Sequence, residues 1–168
     1  MCKKYFIFIF IVILILILDQ GTKYIVHTQF ELGESVVIIN DILNITYAKN
    51  YGAAFGILSN SPETFRKIFF LLFPLGALAF ILIMLRKISA QDKLQVLALS
   101  AIAGGALGNW AGRLKHGFVV DFIDFHFKRY FTYPAFNISD CAIVIGALLM
   151  VLAIIRDKNH KNIKGVKS

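Results

Sequence analysis

Four apolar stretches, Tyr5–Leu18, Ile68–Leu85, Leu94–Leu107 and Ala142–Ile155, limit the folds open to this chain more than any other feature. A bilayer core takes about 20 apolar residues per helix, and each stretch reaches that length once its semi-polar flanks are counted. In hydrocarbon the backbone must satisfy its own hydrogen bonds, which makes each stretch a helix. The expected fold is therefore membrane all-α, with four transmembrane helices over about residues 5–24, 66–85, 94–113 and 136–155. With 58% of its 168 residues hydrophobic, the chain is read as one integral-membrane domain over 1–168.

The formal charge of +8 tempts one toward nucleic acid, but its distribution argues for topology. Lys3 and Lys4, then Arg86, Lys87 and Lys93, then Arg156, Lys158, Lys161, Lys164 and Lys167 fall in segments that four spans place on one side. The positive-inside rule makes that side cytoplasmic, both termini included. The 27–65 connection carries Glu31, Glu34, Asp41 and Glu63 against Lys49 before its end, as suits the outer side; the 113–135 connection, with Arg113, Lys115, Lys128 and Arg129, fits less well. No small-x-small cleavage site follows the first stretch, which is read as a retained span. Cys2 and Cys141 then lie on opposite sides, so no disulfide within the chain is expected. His27, His116, His126 and His160 are scattered, so neither a metal nor a cofactor is expected.

Between the first two spans, Ser35–Tyr47 is rich in β-branched residues and broken by Asn40-Asp41, which predicts two short strands and a turn. A small extracytoplasmic antiparallel β subdomain is thus expected within about 27–60. Ser61-Pro62-Glu63 reads as a helix start, with Ser61 as N-cap and Pro62 at the first helical position. In the third span Ala101, Gly104, Gly105, Gly108, Ala111 and Gly112 recur at three- and four-residue spacing, the pattern of close helix packing.

Counting inward from the charged helix ends puts Asp19, Asn109 and Asp140 at matched depth, on the order of 6–8 Å below the outer face. Asn137 lies close by. Isolated polar groups at a helix end can simply meet water or headgroups. Two carboxylates with two asparagines in one layer favour a convergent site, because charges in membranes face a bundle interior or a cavity. A transporter or channel with an intramembrane carboxylate is the alternative; clustering near one face counts against a path across the bilayer.

Five motifs occur in order: Asp19-Gln20-x-x-Lys23, Asn50-x-Gly52-Ala53-Ala54-Phe55-Gly56, Gly104-Gly105-Ala106-Leu107-Gly108-Asn109-x-x-x-Arg113, Gly117-x-Val119-Val120-Asp121-Phe122 and Phe136-Asn137-x-x-Asp140. Together they resemble the lipoprotein signal peptidases (signal peptidase II) of bacteria over almost the whole chain. The resemblance implies an aspartic endopeptidase of the cytoplasmic (inner) membrane that cuts prolipoproteins just before a diacylglyceryl-modified cysteine. By position, Asp121 and Asp140 match the catalytic pair, while Asp19, Lys23, Asn50, Gly52, Asn109, Arg113 and Asn137 match residues that line or support the site. A monomer among membrane lipids is expected. Where the family usually shows an acid before the arginine, this chain has Gly112.

Two carboxylates that share a proton split their apparent pKa values, so one can act as base toward water while the other donates to the scissile carbonyl. Asp124, three residues from Asp121, has helical spacing to it but lacks the matching motif position and reads as an exposed or supporting acid; His126 reads as a surface group and Cys141 as inert packing. The 48–60 loop, with Asn50, Gly52, Phe55 and Gly56, is expected to act as a lid that positions substrate.

Overall fold

The computed structural model describes residues 2–52, 58, 61–127 and 131–165. Its long helices are α1 (Cys2–Gln29), α2 (Glu63–Lys87), α3 (Lys93–His116) and α4 (Ile138–Gly165). Each is long and apolar enough to cross a membrane. Their outward faces are plainly apolar: Phe6 is 71% exposed, Phe73 61% and Leu148 60%, which only a lipid environment tolerates in such number. α1, α2 and α3 run beyond the expected spans at both ends, by one to five residues, whereas α4 starts two residues later than expected and continues ten residues further, to Gly165.

Helix α3 is the hub. Half of its apolar window is buried, 50% against 17–22% for the other three. The small residues explain this: a methyl group at Gly105 would collide with the Ser139 carbonyl and Ile143, and one at Gly108 with Ser139 Oγ and the Asp19 carboxylate. Removing side chains from α3 thus lets α1 and α4 approach at the level of the polar layer. Helix α2 starts one residue later than the sequence suggested. Pro62 is the N-cap position and no side chain caps the turn, so Ser61 does not serve as cap. Further along, Pro74 lacks the N–H that would reach the Phe70 carbonyl, and Trp110 Nε1 donates to the adjacent Leu71 carbonyl at 3.0 Å.

The expected hairpin forms from β1 (Ser35–Ile39) and β2 (Leu43–Asn50), with Asp41 at φ 60 in the turn. The sheet goes further than the sequence reading. Val119–Phe127 is a strand, β3, pairing antiparallel with β2, and Phe131–Thr132, β4, extends the order to β1-β2-β3-β4. Asp121 stands opposite Ala48, and Val119 opposite Asn50. One face of β2 and β3 packs on the bundle through Val26, Tyr47, Phe118, Val120 and Phe122. The strand was not foreseen because carboxylates fall on both its faces, Asp121 on one and Asp124 on the other, which erases the alternation that marks a half-buried strand.

Candidate active site

Asp140 owes its position to a local rule. At the start of α4, Asn137 Oδ1 accepts from the Asp140 backbone N–H (3.1 Å) and Asp140 Oδ2 accepts from the Asn137 N–H (3.2 Å). This is a reciprocal capping box, with Asn137 at the N-cap and Asp140 three residues on. The Asn-x-x-Asp spacing is therefore a helix start as well as a site motif. Asp121 arrives differently. Gly117 (φ 78) ends α3 in the left-handed region, and the chain turns directly into β3.

The two carboxylates meet through asparagines. Asn137 Nδ2 donates to Asp121 Oδ1 at 2.6 Å, so one residue contacts both acids. Asn50 Nδ2 donates to Asp121 Oδ2 at 2.9 Å, and Asn109 Nδ2 to Asp140 Oδ1 at 2.8 Å. Each amide has its oxygen occupied by an unambiguous donor: the Gly52 N–H for Asn50 (2.9 Å), the Lys23 ammonium for Asn109 (2.8 Å), the Asp140 N–H for Asn137. The NH₂ end of each must then face a carboxylate. An aspartate in any of these places would add a third charge where a donor is needed.

Cations stand one step back. Lys23 Nζ is 2.8 Å from Asp19 Oδ2, with side-chain exposures of 6% and 0%, so its charge is matched before it reaches Asn109. Asp19 also accepts from the Ser139 N–H at 2.9 Å and from Gln20 Nε2 at 2.9 Å, tying α1 to the first turn of α4. Arg113 Nη2 donates to the Gly52 carbonyl at 2.6 Å, its guanidinium lies 4.5 Å from the Phe70 ring centroid, and Nη1 reaches the Asn109 carbonyl at 3.4 Å. The loop carbonyl and the aromatic ring hold an arginine whose preceding residue is Gly112. Its Nε is buried without a partner.

The nine residues singled out by motif thus form one connected network, closed by hydrogen bonds from Asp121 through Asn50, Gly52, Arg113, Asn109, Asp140 and Asn137. Burial pushes the Asp121 carboxyl up from 3.8 to about 6, opposed by the Asn50 hydrogen bond and reinforced by the charge of Asp140. Both acids are met by neutral amide donors rather than by direct ion pairs.

Other expectations fall outside this ring. Asp124 faces away from Asp121 and accepts from Asn44 Nδ2 at 3.4 Å, so the helical spacing considered for it does not apply in a strand. His126 is half-buried, with Nδ1 3.9 Å from Asp124. Cys141 is half-buried in the first turn of α4. Of the expected 48–60 lid, residues 53–57, 59 and 60, Phe55 and Gly56 among them, lie outside the described residues. Among the described residues no group of three or more His, Cys, Asp or Glu could hold a metal ion. Ser139, Phe70 and the support given by Gln20 escaped the sequence reading, because a backbone donor, a ring face and a second amide leave no spacing signal.

Comparison with known proteins now decides the family. The profile described as Signal peptidase (SPase) II matches residues 11–156. The chain belongs to the signal peptidase II family. It is similar to the lipoprotein signal peptidase of Syntrophus aciditrophicus (strain SB), 41% identical over 162 residues that cover 96% of this chain and 100% of the relative. It is 47% identical over 135 residues to the lipoprotein signal peptidase of Actinobacillus succinogenes, covering 80% of this chain and 81% of that one. A solved structure titled as a bacterial membrane enzyme, obtained by the in meso method, superposes with a TM-score of 0.79 at 39% identity, over 94% of this chain and 99% of the other. Signal peptidase II membership makes this multi-pass membrane protein a peptidase.

Proposed function

We propose that this signal peptidase II is an aspartic endopeptidase that cleaves prolipoproteins immediately before a cysteine carrying a diacylglyceryl group. The observation that carries the mechanism is Asn137, which hydrogen-bonds Asp121 with its side chain and Asp140 with its backbone and so couples a buried acid to a half-buried one across one residue. Acids held this way share a proton. The ionised member takes a proton from water, the hydroxide formed attacks the scissile carbonyl, and the protonated member donates to the carbonyl oxygen as charge develops; the proton then passes to the departing amine. No acyl-enzyme is needed.

Asn50 and Gly52, on the sheet side, and Arg113, on the bundle side, frame the approach to the acids. Beside them a cavity of about 660 Å³ opens between the adjoining ends of α2 and α3, lined by Tyr51, Arg66, Phe70, Leu71 and Arg113 among others. Apolar side chains beside Arg66, Arg113 and the Glu63–Lys67 ion pair suit a substrate that is part lipid and part peptide. In this reading both termini are cytoplasmic, supported by the basic clusters of the sequence, and the site lies near the outer face of the bacterial inner membrane. There a diacylglyceryl group holds the peptide at the right depth, with about 0.8 kcal/mol per buried methylene. The enzyme works as a monomer in this reading.

The test is turnover of one lipobox peptide with and without its diacylglyceryl group by the purified protein in detergent. Cleavage before the lipidated cysteine, at a rate at least about 10²-fold above that of the bare peptide, is expected from the anchor energy. Equal turnover of the two, or cleavage elsewhere, refutes the assignment.

A further inference from the structure

β1 is apolar on both faces and covered on neither. Val36 is 44% exposed, Val37 57%, Ile38 56% and Ile39 48%, and all five residues of the strand are exposed. Val36 and Val37, in register with Ile45 and Asn44, point to opposite sides of the sheet before the register shifts between Val37 and Ile39, so burying one face against the bundle would still leave large β-branched side chains uncovered. None of them joins the cluster by which β2 and β3 pack on the helices. An exposed apolar strand at a sheet edge, left in water, is an aggregation hazard that folded proteins cover or break with charge.

We propose that β1 and the β1–β2 turn are immersed in the lipid interface at the membrane face where α1 ends. Continuity supports this occupant. The lipid-facing side of α1 runs through Ile17, Leu18, Tyr24 and Ile25 to Leu32, which is 62% exposed, and then into the strand. Six residue steps separate Gln29 from Ser35, a reach of at most about 20 Å, and it is shortened by a turn in which the Glu34 N–H donates to the Glu31 carbonyl at 2.9 Å. The depth is bounded on both sides. Apolar burial draws the side chains into the acyl region, while the unpaired backbone groups on the free edge of β1 need water or headgroups and cannot enter the hydrocarbon core. The adjacent charges are Glu31, Glu34 and Asp41, so attraction to anionic lipid plays no part. Because β1 pairs with β2 and β2 with β3, the anchor also fixes the height of the strand that carries Asp121.

Fluorescence depth measurement tests this without reference to the peptidase chemistry. The chain has one tryptophan, Trp110. In a Trp110→Phe background, Val36→Trp and Val37→Trp probe opposite faces of β1 in phosphatidylcholine vesicles. Both probes should be quenched at least about twofold by lipids brominated in the upper acyl chain, be protected from aqueous iodide, and show no change with protein-to-lipid ratio or salt. Iodide access at either position overturns the immersion. Protection that appears only as protein density rises assigns the strand to a second copy and also overturns it. A Leu97→Trp probe, on the lipid-facing side of α3, confirms that the reconstituted protein is inserted.

Discussion

Two lysines on α1, equally buried at 5% exposure, sit at opposite ends of the bundle and have opposite surroundings. Lys4 donates to the carbonyls of Leu85 (2.8 Å), Arg86 (3.2 Å) and Ile88 (2.7 Å), taking up the free acceptors at the C-terminal end of α2. It closes a helix end from another helix, a favourable place for a cation. Lys23 instead meets Asp19 and Asn109, and through Asn109 it fixes the amide that faces Asp140. One lysine holds helices together; the other holds a carboxylate's environment. Burial and residue type do not separate these roles, but hydrogen-bond partners do. A buried ammonium on backbone carbonyls is a fastening, and one that fixes an amide beside an acid sets the donor which that acid meets.

The contrast can be broken at four points. Asp121→Asn and Asp140→Asn should each lower kcat by about 10²–10⁴-fold, the range of general acid–base assistance, while thermal unfolding in detergent moves by only a few degrees. Loss of folded protein in parallel with activity would mean that the acids serve the fold. Next, Lys23→Met should cost on the order of 10²-fold in kcat by releasing Asn109 from its orientation, and about 3–5 kcal/mol of stability by leaving Asp19 buried without its partner. Adding Asp19→Asn should return much of the stability and none of the rate; recovery of both together would reduce Lys23 to the role of Lys4.

The third concerns protons. Asp121 titrates near pH 6 in the folded protein, raised chiefly by burial. A pair that works singly protonated loses its proton as pH rises through that value, so kcat/KM should fall about tenfold per pH unit above the break. With substrate bound, water is displaced from the acids, and the break in kcat should move to higher pH. A rate that rises through pH 6 would show that the pair works fully ionised. The smallest effect on rate belongs to Lys4→Met. Three carbonyls lose a charged donor, about 1–3 kcal/mol of stability by the worth of such bonds, with kcat/KM of the remaining folded enzyme unchanged within about twofold. A selective loss of rate would extend the site across the membrane.

Much of this protein was legible in its sequence because the signals are local. Four apolar runs made four helices, Asn40-Asp41 made a turn, and counting residues along helices put Asp19, Asn109 and Asp140 in one layer. The Asn137-x-x-Asp140 capping box could also have been read, since its bonds span three residues. Tertiary structure decided the rest, where partners lie far apart in the chain. Lys23 reaches Asn109 across 86 positions, and Asp19 the Ser139 N–H across 120. Which way an asparagine turns, what holds Arg113 beside a glycine, and that 119–127 is a strand with Asp124 facing away from Asp121 all depend on such contacts. Hydropathy and spacing report what one segment prefers; a hydrogen-bond donor is assigned only when another segment brings its acceptor.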